Sequence, residues 1–197
     1  YVLRRDPAIA AWTETQAIER TRALLEDAVR LRLRSDVQVG TCLSGGLDSS
    51  ATSVIASGMY RDQTGRRFMG IHARASEASI DESRWARMVA DDADMDLAIV
   101  TPSTADFLGT LDDVVRTQEE PFGSASMFMG WHVFREARAR NCPVMLNGQG
   151  GDEVLLGYER YFSAATRQLP LWRAVLAAWE ESRHSRLSFW NALRYKV

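Results

Sequence analysis

Lysine is almost missing from this chain: of 24 basic residues only Lys196 is a lysine. Chemistry that needs a lysine amine therefore has almost nothing to draw on. The arginines are scattered without a polybasic block and the net charge is −2, which removes the electrostatic case for DNA or RNA as a partner. Cysteine is scarce as well. Cys42 and Cys142 lie far apart and neither belongs to a metal-type pair, so a reduced, cytoplasmic protein is expected. His72, His132 and His184 are isolated from one another and from the cysteines, which points away from zinc and toward satisfied structural histidines. There is no long apolar span and no signal peptide, so no membrane role is expected. The chain opens on Tyr1-Val2-Leu3 without Met and stops inside a helical pattern, which suggests a piece of a longer protein.

What remains is a chain of 197 residues, 46% hydrophobic and 25% charged, enough for one domain with a real core. It is organised around Val37 to Met59. Val37, Val39, Thr41 and Leu43 alternate with smaller or polar residues, the period of a strand. The run Ser44-Gly45-Gly46-Leu47-Asp48-Ser49-Ser50 follows, and Ala51 to Met59 suits a helix packed on a sheet. A strand that turns through a glycine pair directly into a helix leaves backbone N–H groups pointing out at the positive end of the helix dipole. That is an anion site. The glycines let a phosphate approach the backbone, and the hydroxyls of Ser44, Ser49 and Ser50 can add hydrogen bonds. An acid here, Asp48, would repel a bare phosphate, so its presence makes sense if a cation sits between them. The reading is nucleotide pyrophosphate with magnesium.

Around this centre the pattern is regular. Residues 1–11, with Pro7, read as a loop or linker. Trp12 to about Arg34 is an amphipathic helix, its stripe formed by Ala17, Leu24, Ala28 and Leu31 with Ile18, Leu25 and Val29 beside them. Phe68 to Ala73 is a second strand, and Asp81 caps a helix running to about Asp94. Leu97 to Val100 is a third strand, and Ser103 with Asp106 forms a capping box for the next helix. Pro121 and Gly123 break the chain, Met127 to Arg140 is helical, and Pro143 to Leu146 is a brief buried strand. Met127, Phe128 and Trp131 read as core packing, and Glu119 and Glu120 as a solvated loop or cap. This alternation predicts an α/β fold, a parallel sheet with helices on both faces, where ligands gather at the carboxyl ends of the strands. A second loop stands at such an end: Asn147-Gly148-Gln149-Gly150-Gly151-Asp152-Glu153. Its glycines expose backbone groups, and Asp152 could share a metal with Asp48. Gly157, Tyr158, Arg160 and Tyr161 then open a helical tail.

The first loop lacks the Gly-Lys-Ser/Thr ending of a Walker motif and resembles the pyrophosphate loop of ATP pyrophosphatases, which cut ATP between the α and β phosphates. The two loops at this separation look like the synthetase domain of glutamine-dependent asparagine synthetase. The resemblance runs from about Trp12 to Phe162, with Asp81-Glu82-Ser83 and Glu120-Pro121-Phe122 as further landmarks. It implies an adenine nucleotide alpha hydrolase-like (PP-loop) domain over 12–162 and the start of a helical extension over 163–197, with the glutaminase domain outside this chain. It also implies ATP and Mg2+, an aspartate carboxylate that is adenylated, ammonia from a glutaminase domain, and compatibility with a homodimer. Carried over by position, Ser44, Gly45, Gly46, Leu47, Asp48 and Ser49 hold pyrophosphate, and Asp48 and Asp152 hold magnesium. Cys42, Gly70, Asn147 and Gly148 line the adenine and ribose, while Gln149 and Tyr158 stand near the reacting groups. Cys42 equally suits a small apolar core position, and Tyr158 a packed aromatic.

Three departures are expected to matter. Gln149 stands where family members often carry an acid, and Gln can orient a substrate but supplies no carboxylate. The segment Phe122 to Met129, where the acceptor should bind, has Ser124 and Ser126 but no arginine for an amino acid's α-carboxylate. The family's catalytic lysine falls beyond residue 197, and Lys196 is too early to be it. These keep two alternatives open: a relative that adenylates another carboxylate, as a β-lactam synthetase or a modifying amidotransferase does, and a nucleotide-binding domain without turnover.

Overall fold

Four short parallel strands carry the fold: β1 (Val39–Cys42), β2 (Met69–Ala73), β3 (Asp96–Val100) and β4 (Val144–Leu146). The structure, a computed structural model, describes residues 6–155, 157, 158, 161, 166, 169–184 and 188–194. The chain divides into two units, 1–148 and 149–197.

In the first unit the strand order is β3-β2-β1-β4. β1 pairs with β2 on one side and with β4 on the other, Thr41 standing between Gly70 and Leu146. The last strand in sequence thus lies beside the first, and the order reverses between β1 and β4. In sheets of this kind such a reversal opens a crevice at the strands' carboxyl ends.

Side-chain alternation sets the two faces. From β2, Met69 and Ile71 join Val133, Ala137 and Cys142 beneath α6 (Ala125–Ala139), with α5 (Thr104–Gln118) packed beside that helix. On the opposite face Val39, Leu43, Phe68 and Met95 meet Ala56 and Tyr60 of α3 (Leu47–Thr64), Ala86 and Ala90 of α4 (Ser83–Asp92), and Val29 of α2 (Glu14–Arg32). Phe68 is 0% exposed, its ring 5.2 Å from that of Tyr60. Phe68→Ala should therefore lower unfolding free energy by about 3–5 kcal/mol, because the surrounding helices close only part of the cavity; urea denaturation measures it.

Several elements differ in detail from the sequence pattern. Pro7 does not hold the chain open: it starts a one-turn helix, α1 (Pro7–Ala10), capped by Asp6, since proline's fixed φ and missing N–H suit the first helical position. The stripe on α2 splits, with Leu25, Val29 and Leu33 turned to the core while Ile18, Leu24 and Leu31 are exposed. The apolar band is wider than the one surface the helix touches. α4 begins later than its acid suggests: Glu82 holds the cap position, and Asp81 accepts the Ser83 N–H from one residue further out, at 3.0 Å. The Ser103–Asp106 capping box forms as read, with reciprocal bonds of 2.8 and 3.1 Å.

In the second unit α7 (Gly151–Leu155) follows Gly150 directly, and α8 (Leu171–His184) packs against α9 (Phe189–Arg194). The second glycine loop, read as loop through Glu153, turns helical at Gly151. Arg160, Phe162 and Lys196 lie outside the described residues.

Candidate functional site

β1 delivers the chain to the loop with Leu43 fully tied. Its N–H donates to Ile71 O at 3.0 Å, and its carbonyl accepts from His72 Nδ1 at 2.8 Å. Gly45 then takes φ +94, where an L side chain is strained, and a Cβ there would also stand 2.9 Å from the Glu82 carbonyl. Gly46 precedes the first turn of α3 and has no side chain to cap it. The N–H groups of Leu47, Asp48 and Ser49 thus have no carbonyl within the helix to bond. Leu47 is 85% exposed, so its contribution to such a site is its amide. The buried hydrogen bond of 3.0 Å between Thr41 and Ser53 hydroxyls locks the helix to the strand behind it.

The serines divide their work differently from the sequence reading, which aimed all three hydroxyls at a phosphate. Ser49 and Ser50 donate to the Gly46 carbonyl at 3.1 and 2.7 Å. Ser44 accepts the Gly46 N–H at 3.2 Å and sits 2.8 Å from the Ser49 hydroxyl. Two of the hydroxyls brace the turn, and Ser44 is the exposed one.

Asp48 is half-buried in the first turn of α3. Among the described residues nothing donates to its carboxylate, and no group of three or more His, Cys, Asp or Glu is gathered that could hold a metal. That donor set fits magnesium, which keeps its waters and commonly takes one or two carboxylates plus substrate phosphates in place of a protein cage.

Asn147 and Gly148 leave β4 beside this turn. A Cβ on Gly148 would lie 2.7 Å from Ser49 N and 3.0 Å from the Asp48 carbonyl carbon and Cβ. The start of the second loop therefore rests on the first turn of the helix that follows the first loop. In the second unit the Asp152 carboxylate lies over Gly157, where any side chain would collide with it, and the Tyr158 hydroxyl donates to Glu153 at 3.1 Å. The Tyr158 ring also lies tilted against that of Tyr161, with centroids 5.7 Å apart. Gln149 and Asp152 belong to this second unit.

Other residues have packing reasons. Gly70 lies near the amino end of β2, where its missing side chain makes room for Met95, Leu97 and Leu43. Cys42 ends β1, and burial, then proximity to Cys142, pushes its thiol up to about 11, so it stays protonated at neutral pH. Ser124 caps α6 by accepting the Ser126 N–H at 3.2 Å. Trp131 donates to Thr117 at 3.2 Å, and Glu119 and Glu120 are exposed. His132 corrects the expectation of satisfied histidines. Its Nε2 is buried with no partner among the described residues, and its ring sits edge-on to Phe128 and Trp131. Burial first, then Arg135, lowers its pKa, so it packs as a neutral aromatic ring. The side chain of His184 lies outside the described residues.

His72 is the satisfied structural histidine expected, with partners that no local signal announces. Its ring is 3% exposed and bonds Leu43 O and Ser83 Oγ, and Ser83 in turn bonds Asp81. The only signal was the Asp81-Glu82-Ser83 landmark, and nothing local ties it to a histidine eleven positions away.

The asparagine synthase family model matches residues 20–195. The chain belongs to that family. A Methanocaldococcus jannaschii protein described as a glutamine-hydrolyzing asparagine synthetase is 33% identical over 171 residues, covering 85% of this chain and 32% of its own length. The Penicillium rubens protein named amidase chyE is 28% identical over 162 residues, covering 77% of this chain and 24% of its own. This member of the family thus spans about a third or less of the length of those relatives. Among solved structures, the U34-tRNA thiolase NcsA of Methanococcus maripaludis superposes with a TM-score of 0.51 at 17% identity, covering 80% of this chain and 57% of its own. The fold is thus the PP-loop fold, as the first loop's resemblance implied. Among the described residues no helix is long and apolar enough to cross a membrane.

Proposed function

We propose that this chain supplies the ATP-binding and carboxylate-activating part of an asparagine synthetase. The observation that carries the reading is the seat of Gly148 on the first turn of α3, with the starts of both glycine loops adjacent past the carboxyl ends of β1 and β4. In the proposed reaction the side-chain carboxylate of aspartate attacks the α phosphorus of ATP. The bond to the bridging α,β oxygen breaks, and pyrophosphate leaves. Ammonia then attacks the acyl carbon of the β-aspartyl adenylate, AMP departs, and asparagine forms once the nitrogen gives up a proton.

The Gly45 and Gly46 backbone and the amides of Leu47 to Ser49 would hold the departing pyrophosphate, and the Ser44 hydroxyl would turn from Ser49 to join them. The helix-start amides are fixed before substrate arrives, so they favour the charge that builds on the leaving group. Asp48 would hold magnesium, whose charge offsets that of the phosphates. Cys42, Asn147 and Gly148 would meet the nucleoside through their backbones, as would Gly70, whose missing side chain also makes room for Met95. Gln149 and Tyr158 would orient the acceptor. Ammonia would come from a glutaminase domain of the whole protein, in keeping with the glutamine-hydrolyzing description of the Methanocaldococcus relative.

A second reading, adenylation of another carboxylic acid, is favoured by Gln149 in place of an acid and by the cap of α6. There Ser124 and Ser126 bond one another at 2.8 Å, and residues 122–129 offer no arginine. Exchange of labelled pyrophosphate into ATP by the full-length protein separates these. Exchange dependent on aspartate is expected. Exchange only with a different acid would select the second reading, and none with any acid would leave a nucleotide-binding domain without turnover.

A further inference from the structure

The hydrogen bonds around His72 fix the number of its protons. The Leu43 carbonyl can only accept, so Nδ1, at 2.8 Å, carries a hydrogen. Ser83 has one hydroxyl proton, and its Oγ lies 2.5 Å from Asp81 Oδ1. That carboxyl also accepts the Ser83 N–H at 3.0 Å and faces Arg74 Nε at 3.2 Å; the Ser83 bonds, with Arg74 beyond, hold it below the usual carboxylate range. An ionised carboxylate only accepts, so the Ser83 proton points to Asp81. Ser83 Oγ must then accept from His72 Nε2, at 3.0 Å. Both ring nitrogens are donors, and the positive charge of the buried ring is balanced by Asp81 through a single intervening hydroxyl.

We propose that His72 is a positioning residue for the phosphate loop, a doubly protonated ring that fastens the Leu43 carbonyl, at the root of the loop, to the start of α4 through Ser83. The inference rests on the phosphate-binding reading of that loop. Leu43 is the last residue before Ser44, and His72 clamps its carbonyl while Ile71 clamps its N–H. Gly45 meanwhile leans on Glu82 and on Trp85 Cβ, 3.1 Å from where its own Cβ would stand. The loop's path is therefore set from β2 and from residues 81–86. A second consequence is electrostatic: the charged ring sits beneath the turn that would take a triphosphate.

The test uses full-length protein, long-range 1H–15N correlation of the histidine rings, and Mg-ATP calorimetry on wild type, His72→Leu, His72→Asn and Ser83→Ala. The spectrum should contain one ring with both nitrogens protonated, absent in both His72 variants and reduced to a single proton in Ser83→Ala. His72→Leu should raise the Kd for Mg-ATP by about tenfold or more, the effect of losing a charge-assisted donor. His72→Asn should restore most of the affinity, because its amide can stand where Nδ1 stood. That rescue would not follow from packing alone, since asparagine fills the space worse than leucine. If His72→Leu does not fold, Ser83→Ala carries the comparison. A singly protonated ring in wild type would overturn the proposal, as would unchanged affinity in the His72 and Ser83 variants while wild type binds. A wild type that does not bind Mg-ATP would remove the phosphate reading itself, and this role with it.

Discussion

Gly148→Ala is expected to weaken Mg-ATP binding by about 5- to 150-fold, the range set by an overpacking strain of about 1–3 kcal/mol. The new methyl group would meet Ser49 N at 2.7 Å and Asp48 carbon atoms at 3.0 Å. Two of those three atoms are backbone and cannot swing aside. Either the end of β4 backs away or the first turn of α3 tilts, and in both cases the amides of Leu47 to Ser49 lose their common direction. The control is on the same helix. Gly58 has nothing within 4 Å of its would-be Cβ, so Gly58→Ala should stabilise the fold by about 0.5–1 kcal/mol and leave binding unchanged. Calorimetry with Mg-ATP and thermal unfolding of both variants checks the pair. Full affinity in Gly148→Ala would mean that the loops do not share a ligand.

Asp48→Asn should separate metal from phosphate. If Asp48 binds magnesium as proposed, the variant would lose a carboxylate ligand with the metal present, and affinity for ATP should fall by about tenfold or more, the magnitude of a lost charge-assisted contact. With magnesium chelated, the sign reverses: wild type presents an anion to a tetraanionic nucleotide, and the variant does not, so Asp48→Asn should bind metal-free ATP as well as wild type or better. Stability should fall by no more than about 1 kcal/mol, because a carboxylate in the first turn of α3 gains only the helix-terminus interaction. Equal losses with and without magnesium would identify Asp48 as a structural residue of the turn and end its metal role.

Most of the fold was legible because its signals are local. The glycine pair after an alternating strand, the Ser103–Asp106 box and the breaks at Pro121 and Gly123 each act over a few residues, and the elements formed where those signals stand. The expectations that needed adjustment involved competition between neighbours. Asp81 reads as a helix cap, yet its carboxylate is shared among the Ser83 amide, the Ser83 hydroxyl and Arg74, and the cap position falls to Glu82. Ser49 and Ser50 read as phosphate ligands by type, yet the Gly46 carbonyl lies close enough to take both hydroxyls. His132 reads as a satisfied histidine, but a helix face packed with Phe128 and Trp131 offers Nε2 no partner among the described residues.

By itself the sequence determined the two glycine turns, the acid placed in each, the alternation of strand and helix, and so the family. These depend on backbone freedom and short-range hydrogen bonding, which a few adjacent residues specify. Tertiary structure alone decided that β4 lies beside β1, that Gly148 rests on the first turn of α3, and that His72 joins the root of the first glycine loop to Ser83. Those are contacts between residues tens of positions apart, and they exist only because sheet pairing and core burial bring the ends of separate strands together.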